Sequence, residues 1–148
     1  MPKAFKFRFE HVLDVRRLKE DLAKRDLAVA QQAVLAQQAG IARLVAEENE
    51  GKDALRGLRQ NLVNIVRLRV QEGYLSSLER RIRASVERLQ ALGRVEAEKR
   101  RALTEARKEV RVLERYRERQ LKTWQYGQDL GERKFLDEVT QNMSGMDS

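Results

Sequence analysis

The chain has 148 residues, enough for one domain, with charged residues at 36%, aromatics at 5% and a single proline, Pro2. That balance excludes a compact globule rich in turns and aromatic bulk, and 41% hydrophobic residues exclude a polar disordered tail. The absence of cysteine removes disulfides and thiolate metal sites, and the formal net charge of +8 raises the question of nucleic acid.

From Met1 to Phe9 basic and aromatic residues alternate, without the apolar stretch of a signal peptide. No later segment approaches the roughly 20 apolar residues of a membrane span. The protein is therefore expected to stay in the compartment where it is made. A first helix is predicted over residues 9–68. Alternate steps of three and four from Leu13 reach Ile65 through sixteen positions, of which eleven are apolar, among them Leu27, Ile41, Leu44, Leu55, Leu58 and Leu62. One unbroken phase over so many heptads marks a coiled-coil seam, because a lone amphipathic helix drifts off a seven-residue repeat. The same helix carries a second apolar stripe, Val15, Leu18, Leu22 and Val29. It reads equally as a widened core face or as a docking strip.

A second seam starts at Leu75 and runs to Trp124, with ten of fifteen positions apolar and a polar gap at Glu96 and Lys99. Had the first seam continued, the position of Leu75's type would fall on Ser76. The phase slips by one residue, roughly 100° of rotation. Gly73 lies inside the slip, where a helix interior loses about 1 kcal/mol relative to alanine. A turn at 69–73 is expected to account for both, followed by a second helix over about residues 74–135 and a frayed C-terminal tail. So short a connection makes the helices antiparallel neighbours. The expected fold is all-α, one coiled-coil domain over residues 1–148, and a monomer. With the turn centred near residue 70, Leu62 would meet Leu78 and Leu58 would meet Ile82. Gly51 would meet Leu89, and Arg16 would stack on Trp124 as a cation–π layer.

Basic charge is local. Residues 1–25 sum to +4 and residues 99–122 to +6, whereas 26–98 sum to +1 and 123–148 to −3. No basic tail and no aromatic-laced single-strand platform accompanies it, so no nucleic-acid partner is expected. Catalytic chemistry is not expected either. There is no phosphate loop or dinucleotide fingerprint, and His11, the only histidine, has no partner for a metal. The run Glu47, Glu48, Glu50 and Asp53 lacks the Glu-x-x-His spacing of helical-bundle metal sites and reads as a solvated face. No cofactor, metal or catalytic residue is assigned.

Three local patterns say more than the heptads. The opening Phe5-Lys6-Phe7-Arg8-Phe9-Glu10-His11-Val12-Leu13 followed by Arg16 resembles the start of the FliJ family of flagellar export proteins. Tyr74-Leu75, Leu78-Glu79 and Ile82 are similar to that family's second-helix opening. Lys134 with Asp137-Glu138-Val139 resembles its closing signature. The resemblance implies a component of flagellar type III protein export, shaped like the central stalk of rotary ATPases. It implies three partners: a hexameric export ATPase, a membrane-embedded export gate protein and export chaperones. It implies a cytoplasmic protein, peripherally associated with the inner face of the cell membrane at the flagellar base. ATPase-ring binding would fall to Phe5, Phe9, Leu13, Arg16, Arg17, Arg111, Arg115, Arg119 and Trp124. Export-gate binding would fall to Leu44, Glu48, Tyr74 and Leu78. Some family members carry aromatics midway along the first helix, where this chain has Leu44, Glu48 and Gly51, so gate docking would rest chiefly on Tyr74 and Leu78. The alternatives are the stalk of a virulence secretion system, a structural coiled coil without an ATPase partner, and a basic nucleic-acid-associated rod.

Overall fold

A computed structural model describes residues 4–61 and 64–146. Two long helices pack against each other as a helical hairpin, α1 over Glu10–Asn61 and α2 over Ile65–Met146. Among the described residues there is no strand. The described residues group into two compact units, one drawn from 1–22 with 104–148, the other from 23–103.

In the first unit α1 begins directly after the turn at Arg8–Phe9, where the amide of Glu10 donates to the Phe7 carbonyl and that of Leu13 to the Phe9 carbonyl. The Glu10 carboxylate in the first turn suits the positive end of the helix dipole. Leu13 is completely buried against Val110 and Leu113, with Phe9 packed over them and Ala106 also buried. Burying a leucine side chain contributes about 1.5–3 kcal/mol, so this cluster is a main source of cohesion. Past Trp124, α2 continues alone to Met146. The helix runs through Gly127 and Gly131 and covers residues 136–146, where a frayed tail was expected; residues 147–148 lie outside the described residues.

In the second unit Ala30, Gly51, Leu78 and Leu103 are buried. Every buried hydrophobic residue within the helices of either unit is one of the seam positions of the heptad reading. The turn is not where the sequence suggested. Residues 69–73 are helical, and α2 starts at Ile65, capped by Asn64. The Asn64 side-chain oxygen accepts from the Val66 amide at 3.0 Å and its carbonyl accepts from the Leu68 amide at 3.1 Å. Such a side-chain cap satisfies an orphan donor of the first turn. Gly73 lies exposed within the helix. Its penalty of about 1 kcal/mol is too small to break a helix whose Leu68, Gln71 and Leu75 already face α1. The phase slip falls ahead of Leu68, and Ile65, assigned to the first seam, is instead exposed. Leu62 lies outside the described residues.

Moving the turn by about seven residues shifts the pairing by two heptads. Gly51 faces Leu75, not Leu89: a Cβ on Gly51 would stand 2.7 Å from Leu75 Cδ2. The Gln71 side chain donates to the Gly51 carbonyl at 3.0 Å and Gln37 to the Ser85 carbonyl at 2.9 Å. The seam phase survives because fourteen residues are two whole repeats. Small against large is preserved, with different partners.

Candidate functional site

The terminal unit holds most of the residues assigned to ATPase-ring binding. Phe5 and Phe7 lie on a short non-helical segment and Phe9 in the turn that leads into α1. All three meet α2. Phe5 lies 6.0 Å from Trp124, Phe7 5.8 Å from Tyr116 and Phe9 6.1 Å from Tyr116, centroid to centroid. Lys6 and Arg8 between them are exposed. The Arg117 guanidinium sits 5.6 Å from the Phe5 ring and its Nε donates to Glu10 at 2.9 Å. Arg117 therefore ties the N-terminal segment to the start of α1.

Arg16 does not stack on Trp124. Its guanidinium donates to the Glu109 carbonyl at 3.3 Å, because the two-heptad shift places it opposite that turn of α2. Trp124 instead faces Phe5. Arg17 pairs with Glu114 at 3.4 Å, Lys19 with Glu109 at 3.6 Å and Arg107 with Glu20 at 3.8 Å. These pairs are half-exposed, and such pairs are worth about 0–1 kcal/mol each. They orient α1 against α2 more than they stabilise it. Arg111, Arg115 and Arg119 differ: they lie exposed on α2. Among the described residues their guanidinium groups make no ion pair or hydrogen bond, and only the backbone carbonyl of Arg119 is engaged, by the Thr123 hydroxyl at 2.9 Å. Leu13, assigned to the ring-binding set, belongs to the closed core.

In the second unit Leu44 is half-buried, Glu48 pairs with Lys52 at 3.2 Å, and the Gly51–Leu75 register sets Glu48 opposite Leu78 and Leu44 opposite the next turn of α2, at Ile82. Leu78 is buried core. Tyr74, one turn earlier, is 46% exposed and is the accessible aromatic of this group. Arg59 pairs with Glu72 at 3.5 Å beside it. Among the described residues, no group of three His, Cys, Asp or Glu is placed to hold a metal, and the run Glu47–Asp53 stays spread along its helix.

The stripe Val15, Leu18, Leu22 and Val29 is exposed rather than a widened core face. Sequence reasoning missed Tyr116 and Arg117, which close the aromatic cluster, and Gln37 and Gln71, which bond to backbone across the hairpin. Gln37 was visible as a polar residue in an apolar seam. Tyr116 carries no periodic signal.

A long helical hairpin with an aromatic-clasped terminal unit is a coiled-coil protein. The model of the flagellar FliJ protein family matches residues 5–145, nearly the whole chain, and the chain belongs to that family. Membership makes it a coiled-coil protein related to flagellar protein export. No curated protein and no solved structure gives a significant match. Among the described residues, no helix is long and apolar enough to cross a membrane.

Proposed function

We propose that the chain is the stalk-like component of flagellar export that binds the hexameric export ATPase through its terminal unit and links it to the export gate and export chaperones. The observation that carries this is the family match over residues 5–145, coinciding with a hairpin whose N-terminus is clasped to α2. The clasp presents two adjacent chain segments as one surface, which a ring could receive. The exposed cations of that unit supply long-range attraction. Gate docking falls to the second unit, at Tyr74, with Leu44, Glu48 and Leu78 supporting its surroundings. The protein acts in the cytoplasm, peripherally at the membrane face of the flagellar base, as a binding protein without a catalytic step.

Pull-down of the hexameric export ATPase by the full-length chain tests this, together with stimulation of its ATP hydrolysis. Binding with stimulation supports the stalk reading. Absence of both leaves the chain a scaffold of the export apparatus without an ATPase role. The virulence-system alternative predicts equal binding to that system's ATPase, whereas preference for the flagellar enzyme supports the reading given.

A further inference from the structure

The ion pairs of the two units are made differently. In the first unit they join the helices: Arg17 to Glu114, Lys19 to Glu109, Arg107 to Glu20 and Arg117 to Glu10. In the second unit Glu48 pairs with Lys52, Glu79 with Arg83 and Glu96 with Arg100, each within one helix, while Arg59 to Glu72 crosses at the turn end. Burial divides the second unit further. Ala30 and Leu103 are buried towards one end and Gly51 and Leu78 towards the other, yet no residue of 31–47 on α1 or of 79–95 on α2 is buried. The seam residues Val34, Ile41, Leu44, Ile82, Leu89 and Leu92 are only partly covered. The Gly51–Leu75 register lays these two stretches side by side over about 25 Å.

We propose that this stretch is a built-in opening of the hairpin: residues 31–47 and 79–95 part and re-close together while the layers on either side stay shut. The same register sets Val34 level with Leu92 and Leu44 with Ile82, but Gln37 with Leu89 and Ile41 with Ser85. The two inner layers thus set an apolar side chain against a polar one and bury little of the apolar surface that holds a seam together. The bond across them, from the Gln37 side chain to the Ser85 carbonyl at 2.9 Å, reaches an oxygen that α2 already employs in its own ladder, so its loss leaves no orphaned acceptor. The Glu79–Arg83 pair survives separation because both residues sit on α2. Shallow grooves enter the seam at one end of the stretch, one between Val34 and Glu96, the other between Ala33 and Leu92. Gly40 and Gly93 lie within it, with open space where a Cβ would stand, and each weakens its helix once the facing helix has moved away. The first unit has no such freedom, since parting its helices breaks the cross-helix ion pairs and draws Leu13 from Val110 and Leu113.

Hydrogen–deuterium exchange of the full-length chain, followed by mass spectrometry under native conditions, tests this, because amide exchange reads local opening. Peptides within 31–47 and within 79–95 should exchange on the order of tenfold or more faster than those around Leu13 and Val110, and at matching rates, since one opening frees both. Uniform protection along the two helices overturns the proposal. So does fast exchange in one stretch alone, which is fraying of a single helix. Gln37→Leu then tests the coupling. It sets a leucine against Leu89 and should slow exchange in both stretches by on the order of three- to tenfold, although the substitution lies on α1. Slowing confined to 31–47 means that the helices move independently and overturns the proposal. Gly57→Ala, at an exposed position of α1 outside the stretch, should leave exchange in 79–95 unchanged. Slowing there equal to that of Gln37→Leu would mark a general gain in stability and overturn the separate opening.

Discussion

Two glycines of the second unit make opposite predictions under one substitution. In the described structure Gly73 is an exposed helix-interior residue, and a Cβ there would meet nothing within 4 Å. Gly73→Ala should therefore gain about 0.5–1 kcal/mol from helix propensity and from reduced freedom of the unfolded chain. For a chain of this size that is a rise of about 1–4 °C in Tm. Gly51→Ala starts with the same gain of about 1 kcal/mol. Its Cβ, however, would stand 2.7 Å from Leu75 Cδ2 and 3.2 Å from Gln71 Nε2. Overpacking a closed contact costs about 1–3 kcal/mol. Displacing Gln71 also weakens the bond it donates to the Gly51 carbonyl at 3.0 Å, worth about 0.5–1.5 kcal/mol. Leu75 can swing partly aside, which keeps the net loss near 1–2 kcal/mol. Urea unfolding followed by helical circular dichroism resolves a difference of that size. Destabilisation by Gly73→Ala would place a turn at 69–73 after all, and equal gains at both sites would refute the close approach of the helices at Gly51.

The same register is open to crosslinking: cysteines at Gly51 and Leu75 should form an intramolecular disulfide under oxidation, whereas cysteines at Leu58 and Ile82 should not. The reverse outcome would return the turn to residues 69–73. Leu13→Ala, which empties a fully buried site, should cost about 2–5 kcal/mol, while Leu18→Ala on the exposed stripe should stay within about 0.5 kcal/mol of wild type. Comparable losses at the two positions would mean that the stripe is covered in solution. Tyr74→Ala should weaken capture of the export gate protein while the thermal melt stays within error, since the ring is half in solvent. Parallel loss of helicity and binding would make Tyr74 a structural residue.

The heptad phase of each helix was legible in sequence because it depends on short-range geometry: a seam must recur every seven residues to keep facing its partner. Leu13, Ala30, Leu78, Leu103, Ala106, Val110 and Leu113 are buried for that reason alone. The family motifs were legible for a similar reason, since Phe5, Phe7 and Phe9 alternate locally. The turn was not. A one-residue phase slip shows that a break exists near the junction of the two seams, but Gly73 drew it too far along, since α2 already starts at Ile65, the last position read into the first seam. The decisive signal was Asn64, whose side chain caps the first turn of α2. A cap residue is common in loops and gains meaning only when its donor is in place. Register was beyond the sequence altogether, because pairings two heptads apart satisfy the same phase. Only the packed helices select among them, through Leu75 against Gly51, Gln71 and Gln37 on opposing carbonyls, and Glu10 against Arg117. The same holds for charge. The sequence placed a basic excess in residues 1–25 and 99–122, and only the tertiary structure separated the arginines engaged by the facing helix from those left exposed.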